Sequence, residues 1–192
     1  MKPLRIVTAG LIAVSLSIVA VVAAPQKSKD RDRDNRFSAR LLGINEVPSV
    51  STGASGKLNA TIARDGQSID YELSFSGLQA PVAQSHIHIA RKNVNGGIVL
   101  WLCQGTAKPA DPAIAALTPA CPQEGTVTGT LTSANVTPVG TQQIGPNELN
   151  EIIVLIRAGA AYANVHTALS PGGEIRGQIR VGDDDDHAGH DR

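Results

Sequence analysis

His86 and His88 stand two residues apart in the stretch Gln84–Ala90 (QSHIHIA), and His166 lies far along the chain in a segment of similar character, AYANVHT. Ile87 and Ile89 alternate with the first two histidines, which marks a strand whose residues i and i+2 project to one side with Cα atoms about 6.6 Å apart. Two imidazoles so spaced can converge on one ion, and a third from His166 would make a metal site. Nitrogen donors suit Zn²⁺ or Cu²⁺. Water or Glu174 would complete the shell, and Asn164, on the same strand face as His166, would orient a ligand from behind. The same side chains equally suit a metal-free polar network in which Asn164, His166, Glu174 and Arg176 lock the last hairpin against the His-x-His strand. Arg176 weighs against a nearby cation unless Glu174 neutralises its fixed charge.

Other catalytic signatures are sparse. His-x-His on a β-sheet parallels copper/zinc superoxide dismutase at the level of fold analogy only, because that chemistry needs a larger histidine set, a bridging imidazole and an aspartate. No Gly-x-Ser-x-Gly occurs, no cysteine has a catalytic partner, and Ser85 beside His86 reads as a strand residue. A non-enzymatic binding or structural module is the expectation, with a dismutase-like metalloenzyme or a binder of a secreted protein as the alternatives. His187 and His190 sit in the acidic stretch DDDDHAGHDR, where nothing fixes their positions. Weak metal binding or simple solubilisation is what such a tail supports. Trp101, in an apolar run, reads as packing rather than as a binding platform.

The ends of the chain bear on compartment. Lys2 and Arg5 precede an uncharged run from Ile6 to Ala24, the anatomy of a signal peptide over residues 1–24 cleaved after Ala23. The run is also long enough that an uncleaved membrane anchor is the alternative. Loss of residues 1–24 removes two positive charges and leaves a net charge of −2, which argues against a nucleic-acid partner. Residues 25–36 (PQKSKDRDRDNR) alternate in charge sign and read as a disordered tether, and residues 183–192 form the acidic tail. Between them, residues 37–182 are of ordinary single-domain size. Two cysteines, Cys103 and Cys121, are all the chain contains, and in an oxidising compartment such a pair reads as a disulfide.

Strand signals fill that domain. Phe37–Glu46 opens it. Lys57–Arg64 and Ile69–Phe75 flank Asp65-Gly66 and predict a hairpin with a two-residue turn. Gln84–Ala90, Ile98–Leu102 and Gly125–Ser133 follow, with Cys103–Glu124 irregular between the last two. Leu149, Ile152, Ile153 and Ile156 recur at helical spacing after Pro146, which suits the first helical position, and Gly159 ends that helix. The alternative is a strand over Ile152–Arg157. Ala161–Leu169 and Glu174–Val181 pair across Ser170-Pro171-Gly172-Gly173. The expectation is an all-β, Greek-key-like sandwich or partly closed barrel of about seven to eight strands with one short helix.

Three of these pieces, in order, carry a family likeness: FSARLLGINEVP at the start, SHIHIA in the middle and AYANVHTALSPGGEIRGQI at the end. Together they make residues 37–182 resemble a chordin-type (CHRD) domain. The resemblance implies an extracytoplasmic β-domain. In the animal protein that names the family, such domains belong to a secreted antagonist of bone morphogenetic proteins. This chain lacks that protein's repeats and cysteine-rich modules, so the likeness carries fold further than partner.

Overall fold

The computed structural model describes residues 34–182. Nine strands, two α-helices and three short 3-10 turns occur among the described residues. The strands are β1 (Arg36–Leu42), β2 (Ser55–Ile62), β3 (Ser68–Ser76), β4 (Val82–Ile89), β5 (Ile98–Gln104), β6 (Gly125–Thr132), β7 (Ala161–Thr167), β8 (Ile175–Gln178) and β9 (Arg180–Val181). Helix α1 (Pro112–Leu117) lies between β5 and β6, and α2 (Leu149–Arg157) precedes β7. The sheet runs β5-β4-β7-β8-β1-β2-β3-β6, with β9 also paired to β1. All pairings are antiparallel. The two ends of this sheet approach each other: the Tyr71 hydroxyl on β3 donates to the Leu102 carbonyl on β5, and the Thr137 amide just after β6 donates to Val99 at 2.9 Å. The result is the nearly closed, barrel-like all-β fold expected.

Period-2 alternation builds the core. Leu58, Ala60 and Ile62 on β2 face Ile69, Tyr71, Leu73 and Phe75 on β3, and all are buried. The β2–β3 hairpin forms, but its connection is longer than a two-residue turn. Ala63 donates to Ser68, leaving Arg64–Gln67 as the loop. Asp65 explains the difference: its Oδ1 accepts from the Gln67 amide at 3.0 Å, and Gly66 supplies a φ of 72°, so the side chain replaces one rung of the ladder. α2 buries Leu149, Ile152, Ile153 and Ile156 against the same core. It begins at Leu149, three residues after Pro146. Asn147 at φ 64° interrupts the helical path, and Glu148 reaches back to accept from the Gly145 amide at 2.6 Å. Gly159, at φ 68°, ends the helix as expected.

The segment read as irregular contains α1, whose Asp111 cap accepts from the Ala113 amide and whose first residue is Pro112. Cys103 and Cys121 form the disulfide, 18 residues apart, and tie this excursion to the end of β5. The last hairpin pairs β7 with β8 in the register Asn164↔Arg176 and Val165↔Ile175. A break at Ile179 then lets β9 continue along β1.

Candidate metal centre

β4 lies between β5 and β7, and the register sets which side chains meet: His86 stands across from Asn164, His88 from Tyr162 and Gln84 from His166. Alternation along β4 sends Ile87 and Ile89 into the apolar core and His86 and His88 to the opposite face. That opposite face is as buried as the core. His86, His88, Asn164 and His166 are 0–6% exposed. Loops rather than strands cover it. Gly96 and Pro171 place carbonyls on two of the rings, and Asn95 ties the loop before β5 to Val47 through a 3.1 Å hydrogen bond.

The hydrogen bonds fix which nitrogens carry protons. His88 Nδ1 lies 3.0 Å from the Gly96 carbonyl oxygen, and His166 Nδ1 lies 2.9 Å from that of Pro171. A carbonyl oxygen only accepts, so both Nδ1 atoms donate and the neutral rings turn their Nε2 lone pairs inward. There His166 Nε2 lies 3.2 Å from His86 Nδ1, and Asn164 Oδ1 lies 3.1 Å from His88 Nε2 and 3.0 Å from His166 Nε2. One ligand nitrogen from each of the three histidines falls within 4.8 Å of the others. His86 Nε2 is buried without a hydrogen-bond partner, and its ring stands T-shaped against Trp101 with centroids 4.3 Å apart.

Burial also sets the charge state. Desolvation holds His86 well below the usual histidine range, reinforced by its neighbours His166 and His88. It lowers His88 to about 4 and pulls His166 down as well. All three rings are neutral at pH 7, the form that ligates metal. Glu46 completes the surroundings. Burial raises its carboxyl to about 7, against the opposing pull of Arg176, and its Oε1 is buried without a hydrogen-bond partner.

A CHRD domain match covers residues 37–179, which includes every side chain of this cluster. The chain belongs to the CHRD family. No curated protein and no solved structure matches it significantly. Within this CHRD domain the three family-like segments contribute Glu46 from the first, His86 and His88 from the second, and Asn164, His166 and Arg176 from the third. Folding brings all three segments to one face.

Four of the residues singled out in the sequence come together: His86, His88, His166 and Asn164. Glu174 and Arg176 point their bonds elsewhere. Glu174 accepts from Thr52 Oγ1 at 2.9 Å, the Gln79 amide at 3.0 Å and Thr167 Oγ1 at 2.7 Å, so its oxygens clamp the loop after β1 to the last hairpin. Arg176 donates to Asn95 Oδ1 and the Val94 carbonyl, and its guanidinium lies 3.3 Å from the centroid of Tyr162, which stacks on His88 in turn. Glu46 is its electrostatic partner in place of Glu174. Sequence reasoning missed Glu46, although it belongs to the E-x-P of the opening motif. Trp101 was read as packing and does pack, but against His86. His187 and His190 lie outside the described residues, as do residues 1–24, expected to be a signal peptide, and residues 25–33 of the expected tether.

Proposed function

We propose that this CHRD domain is a non-enzymatic, extracytoplasmic binding or structural module that holds a transition metal ion, Zn²⁺ or copper, on His86, His88 and His166. The observation that carries the reading is the pair of backbone carbonyls, from Gly96 and Pro171, that take the Nδ1 protons of two buried neutral histidines and aim both Nε2 lone pairs into one cluster. An outer acceptor on the far nitrogen is how proteins orient metal-ligating imidazoles. Without an ion His86 Nδ1–H can serve His166 Nε2, but the inward Asn164 Oδ1 faces the His88 Nε2 lone pair at 3.1 Å, acceptor against acceptor, at the cost of a buried unsatisfied group. The extracytoplasmic reading is supported by the signal-like composition of residues 1–24, the Cys103–Cys121 disulfide and the occurrence of CHRD domains in extracellular proteins. A dismutase-like activity has less support, since no second group of three or more such ligands occurs among the described residues to share a bridging imidazole.

The test is metal content and thermal melting of untagged protein, with the full chain beside a form ending at Gly182. One equivalent of zinc or copper, retained without the tail, and a melting temperature that rises with the ion support the reading. Binding to the folded state alone stabilises by about 2.7 kcal/mol when the free ion is at 100 times its Kd. His86→Ala and His166→Ala should abolish both effects. Substoichiometric metal that does not change in either variant would sink the proposal.

A further inference from the structure

Resting on that metal reading, we infer that Asn164 is the fourth ligand: its Oδ1, in place of a water, closes a four-coordinate N₃O centre around a divalent ion.

Metal–ligand bonds of about 2.0–2.2 Å at tetrahedral angles put neighbouring ligand atoms about 3.3–3.6 Å apart. Three of the separations already approach that value. His86 Nδ1 to His166 Nε2 is 3.2 Å, Asn164 Oδ1 to His166 Nε2 is 3.0 Å, and Asn164 Oδ1 to His88 Nε2 is 3.1 Å. The amide oxygen occupies a ligand's place, not one behind a ligand.

Orientation points the same way. The Asn164 amide nitrogen is turned outward, beside Gly173 and the Glu46 carboxyl, and its oxygen is turned into the cluster. Asn164 Oδ1 is then an acceptor facing two nitrogen lone pairs, an arrangement that a cation turns from repulsive to attractive. Gly173, at φ 122°, holds the geometry: a Cβ there would overlap the Glu46 carboxylate and come within 2.8 Å of Asn164 Nδ2, so the amide is seated from behind.

The consequence is a preference for a particular ion and the loss of an open position. An amide oxygen is a hard donor, suited to Zn²⁺ and poorly suited to Cu⁺. Four protein ligands leave nowhere for substrate or activated water, the mark of a structural rather than a catalytic centre.

Two measurements decide it. A crystal structure of the full chain with Zn²⁺, the ion located by anomalous scattering, should place Asn164 Oδ1 about 2.0–2.2 Å from the metal. A water in that position, with Oδ1 more than about 3 Å away, overturns the inference while leaving the three-histidine site intact. The Co²⁺-loaded full chain should show intense four-coordinate visible bands that azide leaves unchanged. Asn164→Ala should open the position, so that azide shifts the bands, and Asn164→Asp, which keeps an oxygen, should stay silent to azide. Azide-sensitive bands in the wild-type protein overturn the inference without recourse to any variant. Failure of the wild-type chain to take up Zn²⁺ or Co²⁺ removes both this inference and the reading beneath it.

Discussion

The two faces of β4, β7 and β8 are equally dry and chemically opposite. On one side Ile87, Ala163, Val165 and Ile175 are fully buried in the apolar core; on the other His86, Asn164, His166 and Arg176 are no more than 5% exposed. Apolar burial stabilises in proportion to area and needs no particular partner. A buried polar group is favourable only when its hydrogen-bonding capacity is met. The core face is therefore held by packing alone, whereas the histidine face depends on backbone carbonyls, an amide and, on our reading, an ion.

That contrast predicts its own largest break. Ile87→Ala should cost about 2–5 kcal/mol whether or not metal is present, because it leaves a cavity in a packed core. It should leave metal stoichiometry in the surviving folded protein unchanged. Denaturant melts with and without zinc check both parts, and a metal-dependent loss would show that the two faces are not separable. On the polar face, His88→Ala should remove the whole increment of stability that metal confers, about 2.7 kcal/mol at 100 times Kd. Equal stabilisation of wild type and variant by zinc would take His88 out of the site.

The same contrast explains what the sequence made legible. Alternation such as Ile69, Tyr71, Leu73 and Phe75 announces a half-buried strand, and the β2–β3 hairpin followed from it. β7 offers no such signal, since all seven of its residues are buried. The histidines were found from residue type and i, i+2 spacing, which survive burial. Glu46 was not, because its position depends on how the loop after β1 folds back over β7, a tertiary event that no local pattern records. Glu174 was expected in the cluster, as a ligand or as part of the network locking the last hairpin. In the folded chain Thr52, Gln79 and Thr167 claim its oxygens. α1 was missed although Asp111-Pro112 is a capping signature, because four prolines across Cys103–Glu124 outweighed it.

Gly173 offers a smaller and more specific break. Gly173→Ala should cost about 1–3 kcal/mol through the strained left-handed backbone alone, and the added methyl should displace Glu46 and Asn164 from behind. Metal affinity should fall along with stability. The equivalent change at Gly182, also at positive φ but with nothing within 4 Å of its Cβ, should leave metal affinity alone. Calorimetric titration of both variants with zinc separates strain from seating. Equal affinities would show that the Glu46–Asn164 contact does not position the site.

The finest distinction between the faces is in acid. Only the polar face titrates, and in metal-free protein its groups pull in opposite directions. His88 binds its proton near pH 4 when folded and near 6.5 when unfolded, so the unfolded chain takes up protons first. Stability from His88 is full above pH 6.5 and is lost as the pH falls towards 4, and the lowered His86 and His166 act in the same sense. Glu46 is raised from 4.5 to about 7 by folding, so its contribution is full below pH 4.5 and fades as the pH rises through 7. Three histidines against one carboxyl predict a melting temperature that falls on acidification from pH 6.5 to 4.5 in the presence of a chelator. Glu46→Gln removes the opposing contribution, so its melting temperature should fall more steeply across that window than the wild type's. Parallel pH profiles for the two proteins would show that Glu46 is ionised throughout and not desolvated by the loops that bury the histidine face.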